Sequence, residues 1–372
     1  MCKTASPRKW MIRRHRTDPQ ERMNGFTRRQ CWDYCRRCIR HGVNRGARGR
    51  MGQQSHKVQR THPADAGWRS QHQGARIMVR LSHRGICVSD IAVSERFYRE
   101  ALGFEPYQDH GIIEGPDMSR TMEIPDVRLR AVMLKRPDGP VIELLQFLNP
   151  PATGAREKRS TLQYGLVHIS FYVDDIDSWA TRITEAGGTV YEETRAYFAG
   201  NTTTLLYCTD PDGVRVELMN APGEAERFSH SGICVDDIEV AVSYYEALGF
   251  VPAENYVLDE GYDWLGVINE VPGIKLRAQM VRDPEGNTIE LLKVFEPASF
   301  GSRERQPLNR FGLTHLAFWD DDPTATAAML TDRGGYFVEE AHVKTPAIEL
   351  MHGADPNGVR IELMRLPSSV GS

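Results

Sequence analysis

Three observations predict an α+β protein built from four similar βαβββ modules that pair into two open half-barrels. The stretch LSHRGICVSDIAVSERFYREALGF, Leu81 to Phe104, returns 147 positions later as FSHSGICVDDIEVAVSYYEALGF, Phe228 to Phe250. Two further units, YGLVHISFYVDDIDSWATRITEAGG from Tyr164 and FGLTHLAFWDDDPTATAAMLTDRGG from Phe311, are also 147 residues apart. Each unit ends in two apolar runs flanking a Pro- and Gly-containing turn, the mark of a hairpin. Units of this kind stack because one alone cannot cover its apolar sheet face.

In order, a His opens a short apolar run in the first and third modules, with Gly85, Ile86, Cys87 and Val88 in one and Gly232, Ile233, Cys234 and Val235 in the other. Period-two alternation places the His, the Gly and the Cys on one face of a strand. Asp90 and Asp237 stand where a helix N-cap belongs, because a short side-chain oxygen can accept from first-turn amides. The helices that follow carry Phe97, Tyr98 and Leu102, or Tyr244, Tyr245 and Leu248, on an apolar stripe and stop at Gly103 and Gly249, suited to a left-handed cap. Then comes a Gly- and Pro-containing excursion, Tyr107 to Val127 and Tyr256 to Gly273, expected to form a strand and a loop at the cup mouth. Its aromatic residues, such as Tyr107, Tyr262 and Trp264, are candidates for shaping a pocket. The hairpins close the modules: LRAVML and VIELLQF around Pro137 to Gly139, LRAQMV and TIELLKVF around Pro284 to Gly286, and TDPDGVRVELM and ADPNGVRIELM in the other two. Segments 149 to 160 and 296 to 308 have linker composition. The expected domains are therefore 78–222, with modules 78–150 and 161–222, and 226–367, with modules 226–297 and 309–367.

The chain of 372 residues is 40% hydrophobic and 26% charged, ordinary for a globular protein, and no apolar run reaches the length of a membrane span. Its net charge of −4 hides an asymmetry, since residues 1–77 hold 19 Lys and Arg against 4 Asp and Glu. That Arg-rich arm lacks apolar periodicity and is expected to be disordered, because it buries too little to offset ordering entropy. It reads as an extension upstream of a working protein that starts near Met78, as an organellar targeting arm, or as a polyanion-binding tail. Cys31, Cys35 and Cys38 with His41 nearby have a spacing similar to the cluster loop of radical enzymes using S-adenosylmethionine. No alternating βα pattern surrounds it, and we read it as coincidence. Cys2, Cys87, Cys208 and Cys234 form no disulfide framework, in keeping with a reducing, cytoplasmic setting. No nucleic-acid or membrane partner is expected for the folded part, and self-association is left open.

Every module has a His in its first strand and a Glu in its last: His83 with Glu143, His168 with Glu217, His230 with Glu290, His315 with Glu362. Each Glu stands alone between apolar residues, and a buried carboxylate without a partner is costly, so something positive belongs beside it. A lone strand His is more often a satisfied core residue than a ligand. The same two residue types at four equivalent places point instead to a divalent metal, whether Zn, Ni, Co, Mn or Fe(II).

These residues bring out a resemblance. From Met78 to about Pro367 the chain resembles the vicinal oxygen chelate superfamily, the glyoxalase, bleomycin-resistance and extradiol-dioxygenase group. The likeness is carried by H-x-x-I-x-V-x-D, by F-Y-x-x-x-L-G, and by D-P-x-G-x-x-x-E in three modules. It implies glyoxalase-like half-barrels holding a metal, with His83, Glu143, His168 and Glu217 in a first cup and His230, Glu290, His315 and Glu362 in a second. The complete set of two His and two Glu is more similar to glyoxalase I, with methylmalonyl-CoA epimerase nearby, than to extradiol dioxygenases. Those enzymes resemble this chain in having four modules, but usually use two His and one Glu in one cup. They also want a His shortly before Y-x-x-D-P-x-G-x-x-x-E, and Tyr197 to Leu206 contains none; in the fourth module the Tyr position is His352. The resemblance implies a metal-dependent lyase or isomerase acting on a small oxygen-bearing metabolite through an enediolate. A glutathione or coenzyme A thioester would be part of the substrate. Glu217 and Glu362 would be the proton-moving carboxylates. Alternatives are an Fe(II) catechol-cleaving dioxygenase and a non-enzymatic binding or resistance protein.

Overall fold

The structure, a computed structural model, describes residues 79–198, 202–260 and 262–365. The basic arm 1–77, with its Cys31, Cys35, Cys38 spacing, lies outside the described residues. The first module is β1 (Val79–Cys87), α1 (Ile91–Glu100), β2 (Glu105–Glu114), α2 (Pro116–Met122), β3 (Arg128–Lys135) and β4 (Val141–Asn149). The second is β5 (Gly165–Tyr172), α3 (Ile176–Glu185), β6 (Thr189–Phe198), β7 (Thr203–Thr209) and β8 (Arg215–Asn220). The third repeats the first as β9 (Arg227–Cys234), α4 (Ile238–Ala247), β10 (Val251–Leu258), α5 (Asp263–Asn269), β11 (Lys275–Arg282) and β12 (Thr288–Glu296). The fourth has β13 (Gly312–Asp320), α6 (Pro323–Thr331), short strands β14 (Tyr336–Phe337) and β15 (Val343–Lys344) around a 3-10 turn, then β16 (Glu349–Ala354) and β17 (Arg360–Arg365).

The local signals act as their chemistry dictates. Asp90 Oδ1 accepts from the amides of Ala92 and Val93 at 2.8 and 3.2 Å, and Asp237 Oδ1 from those of Glu239 and Val240 at 2.9 and 3.0 Å. Gly103 and Gly249 take φ of 69° and 88° just beyond their helices. The excursions differ from expectation in one respect: each holds a short helix, α2 or α5, between its strand and the hairpin. These helices end at Glu123 and Glu270, both left-handed at φ 59°.

The modules pair otherwise than the sequence suggested. One sheet runs β14-β16-β17-β13-β1-β4-β3-β2, with β15 on β16, and the other β10-β11-β12-β9-β5-β8-β7-β6. The first module thus shares a sheet with the fourth through antiparallel β1 and β13, and the second with the third through β5 and β9. The expected cups, first with second module and third with fourth, are corrected accordingly. What modules one and two share is a core: Phe97 and Tyr98 of α1 cluster with Trp179 and Ile183 of α3, Leu144 and Leu218. Modules three and four share the matching one, with Tyr244, Tyr245, Leu291, Leu330 and Leu363. The apolar stripes of successive helices bury one another, so successive modules stand back to back and their open strand edges are completed by the other half of the chain. The linkers that carry the chain between sheets lie side by side, with hydrogen bonds from Thr153 N to Asn309 O (2.7 Å) and from Tyr164 N to Phe300 O (3.1 Å).

Candidate metal centres

Strand order fixes what meets. In the first sheet β1 runs parallel to β4, and β13 parallel to β17, so the four residues that face the concave side at the middle are His83, Glu143, His315 and Glu362. His83 Nε2 lies 3.1 Å from His315 Nε2. Glu143 Oε2 is 3.5 and 3.6 Å from the two, and Glu362 Oε2 3.6 and 3.7 Å. In the second sheet His168 Nε2 and His230 Nε2 are again 3.1 Å apart. Glu290 Oε2 sits 3.5 and 3.4 Å from them, and Glu217 Oε2 3.6 Å from His230. All eight residues named from the sequence therefore meet four at a time. They meet as His83, Glu143, His315, Glu362 in a first centre and His168, Glu217, His230, Glu290 in a second, which replaces the expected grouping. Cys87 and Cys234 pack into apolar clusters, with Leu129 and Leu145 in one case and Leu276 and Leu292 in the other. Of the excursion aromatics, Tyr107 is exposed, whereas Trp264 stacks on Phe198 at 4.9 Å, in one cluster with Tyr207.

The close approach of the imidazoles depends on two glycines. Gly85 lies opposite His315 and Gly232 opposite His168 in the strand register. A Cβ on Gly85 would stand 2.0 Å from His315 Cε1, and one on Gly232 2.1 Å from His168 Cε1. Each ring occupies the space that a side chain would fill on the facing glycine of the other half of the chain.

The donor geometry fits a divalent ion. Two nitrogens each about 2.1 Å from one ion and roughly at right angles to it stand about 3 Å apart; both pairs here are at 3.1 Å. Sets of three donor atoms, from His83, His315 and Glu362 and from His168, Glu217 and His230, lie mutually within 4.8 Å. Three of the four rings are held from behind. His83 Nδ1 meets Ser82 Oγ at 3.2 Å, His230 Nδ1 meets Ser229 Oγ at 2.9 Å, and His315 Nδ1 meets Thr314 Oγ1 at 3.0 Å. Assigning the Nδ1 proton to these bonds leaves the Nε2 lone pair aimed into the cup, as a metal-ligating imidazole requires. His168 follows Val167, and its Nδ1 has no partner.

Electrostatics separate the members of each set. Burial works against charge on His83 and His230, but adjacent carboxylates, Glu143 and Glu290 foremost, outweigh it and raise both. Burial pushes His315 down to about 4, and His168, beside His230, to about 3. Burial would raise Glu143 and Glu290, yet the neighbouring imidazoles hold both below the usual carboxylate range. The remaining pair diverge. Burial lifts Glu217 to about 7, whereas in Glu362 burial is overcome, chiefly by His352, and the carboxyl is pulled far down.

His352 is a residue the sequence reading left without a role. It lies on β16 directly opposite Glu362, where Tyr207 stands opposite Glu217. Its Nε2 is 3.3 Å from Glu362 Oε1. Ser170, whose hydroxyl donates to Glu217 Oε2 at 2.8 Å, was also missed. The signals were present in S-H, S-H, T-H and V-H before the four apolar runs, and in a His at a Tyr position. A separate cavity of about 510 Å³, lined by Arg84, Tyr172, Arg227, Ser229 and Met280 among others, includes none of the eight donors.

The comparisons agree with this architecture. The family model described as Glyoxalase/Bleomycin resistance protein/Dioxygenase superfamily matches residues 80–218 and again 227–363. Among solved structures, glyoxalase I from Zea mays is similar with a TM-score of 0.54 at 16% identity, over 78% of this chain and 93% of that one. A point mutant of the same maize enzyme gives 0.53 at 18% identity, over the same shares. At such identities the likeness is one of fold. Sequence comparison with curated proteins gives no match. With two matched regions covering most of the chain, each bringing the module pattern that builds these cups, the chain belongs to the glyoxalase/bleomycin resistance protein/dioxygenase superfamily.

Proposed function

We propose that the protein is a metal-dependent lyase or isomerase of the glyoxalase or epimerase type, acting on a small metabolite with neighbouring oxygen-bearing carbons. The observation that carries this reading is the convergence, twice, of two imidazole nitrogens 3.1 Å apart with two carboxylates from different modules. A divalent ion bound there would supply Lewis-acid polarisation of substrate oxygens. The chain's own part is to hold and to move protons. The His pairs, with Glu143 or Glu290, form the fixed side of each set. Glu217, which accepts from Ser170, and Glu362, beside His352, would take a proton from the carbon beside those oxygens and return it. Glutathione or coenzyme A thioesters are the substrate classes to try first.

The test is metal analysis of the full chain and its Glu217→Gln and Glu362→Gln variants, with activity against thiohemiacetals and acyl-CoA epimers. Both substitutions together should lower turnover by about 10²–10⁴-fold, the usual worth of a positioned acid–base group. A purified chain that takes up no divalent ion overturns the reading. Oxygen consumption with a catechol under Fe(II) would move the assignment to ring cleavage.

A further inference from the structure

We propose that the two centres are unequal by construction: the centre of His83, Glu143, His315 and Glu362 is the tighter metal site, and His352 is the positioning residue that makes it so. This rests on the metal reading above and goes beyond it.

His352 is 2% exposed, and neither ring nitrogen has a hydrogen-bond partner. A buried imidazole with two unmet positions is unfinished business in a folded protein. Its neighbour is Glu362 Oε1, 3.3 Å from Nε2, the oxygen turned away from the His pair. Oε2 of the same carboxylate faces both imidazoles at 3.6 and 3.7 Å. A small rotation aligns Nε2–H on Oε1 and leaves Oε2 wholly available as a ligand. Partners of this kind behind a ligating group orient it and sharpen affinity.

The second centre is built differently at each of these points. Tyr207 takes the place of His352, its ring 5.9 Å from that of His168. Ser170 donates to Glu217 Oε2, the oxygen that faces His230, so this ligand atom is shared with a hydroxyl proton. The matching position on β13 is Ala317, opposite His83, which has no proton to give. Both imidazoles of the first centre are held by a hydroxyl on Nδ1, whereas His168 has none. Three independent differences thus favour the same centre.

The experiment is a titration of metal-free full-length protein with Co²⁺, followed by calorimetry and by the visible absorption of the bound ion. Two classes of site are expected, and Glu290→Gln should remove the weaker. In that background His352→Tyr, which copies the second centre, should weaken the remaining site by about 10–100-fold. His352→Gln, which keeps an N–H donor, should restore most of the affinity and of the cobalt spectrum. Tyr207→His in the otherwise unchanged chain should narrow the gap from the other side. Two identical sites, or a His352→Tyr chain with unchanged affinities, would overturn the inference while leaving the metal reading intact. A chain that binds no cobalt at all defeats the metal reading itself.

Discussion

At the scale of single residues, the ligand set was readable because it breaks a rule. An isolated Glu in Ile-Glu-Leu and a His in an apolar strand are expensive unless they meet something, and four repeats of the same expense give it a direction. His352 was not readable in that way, because it replaces an aromatic ring of similar bulk and its value depends on a carboxylate ten residues away across a hairpin. Nor was the need for Gly85 and Gly232 visible, since it comes from a strand more than sixty residues distant in each case. That need gives a sharp prediction. Gly85→Ala puts a methyl 2.0 Å from His315 Cε1, so the ring must leave its place, and Gly232→Ala does the same to His168. Each substitution should cost about 1–3 kcal/mol of stability by overpacking, read as a lower melting temperature. Each should also remove one metal equivalent per chain while the other is retained. Retention of both equivalents in either variant would show that the glycine does not set the ring's position.

At the scale of elements, strands, caps and hairpins follow from local sequence, whereas the short helices α2 and α5 do not, because Gly- and Pro-bearing stretches signal irregularity as readily as a brief helix. The F-Y-x-x-x-L-G and D-P-x-G motifs are explained by one another. Tyr98 of α1 donates to Asp210 Oδ2 in the turn of the next module at 3.0 Å, and Tyr245 of α4 donates to Asp355 Oδ2 at 3.1 Å. The other oxygen of each Asp accepts two turn amides, from Asp212 and Val214 or from Asn357 and Val359. Burial pushes Asp210 up to about 7 and Asp355 to about 6. A carboxyl raised in the folded state holds its proton there longer than in the unfolded chain. Its contribution is therefore complete below the unfolded value near pH 4 and is lost as pH rises through about 6 to 7. Asp210→Asn and Asp355→Asn should flatten the fall in melting temperature between pH 5 and pH 7.5 relative to the parent chain. A parallel slope in parent and variants would show that these carboxyls do not titrate in that window.

At the scale of the whole molecule, the choice of partners was hidden by the repeat itself. A module that can pair with the second can equally pair with the fourth, since the two are alike, and only packing of successive helices against each other decides for the fourth. The halves are then joined by ion pairs between exposed glutamates and more deeply set cations: Glu270 accepts from Arg215 at 3.1 Å and also binds Lys158, while Glu123 binds Arg360 and Arg305. One contact breaks the symmetry. Arg84, 1% exposed, donates through Nε to Ser231 Oγ at 2.9 Å, and residues 84 and 231 occupy the same place in the two halves. Two copies of a C-terminal half, 226–367, would bring Ser231 against Ser231, and two copies of an N-terminal half, 78–222, would bring one buried guanidinium against another. Burial already depresses Arg84 to about 10, so a second cation at that point has no room to be hydrated. The C-terminal half expressed alone should therefore form a dimer whose cups each combine His230 and Glu290 with the partner's His315 and Glu362, binding one ion per half-chain. The N-terminal half should dimerise only as Arg84→Ser. Light scattering on the three half-chains decides it: an N-terminal half that dimerises with Arg84 in place would mean that this contact does not select the pairing of unlike halves.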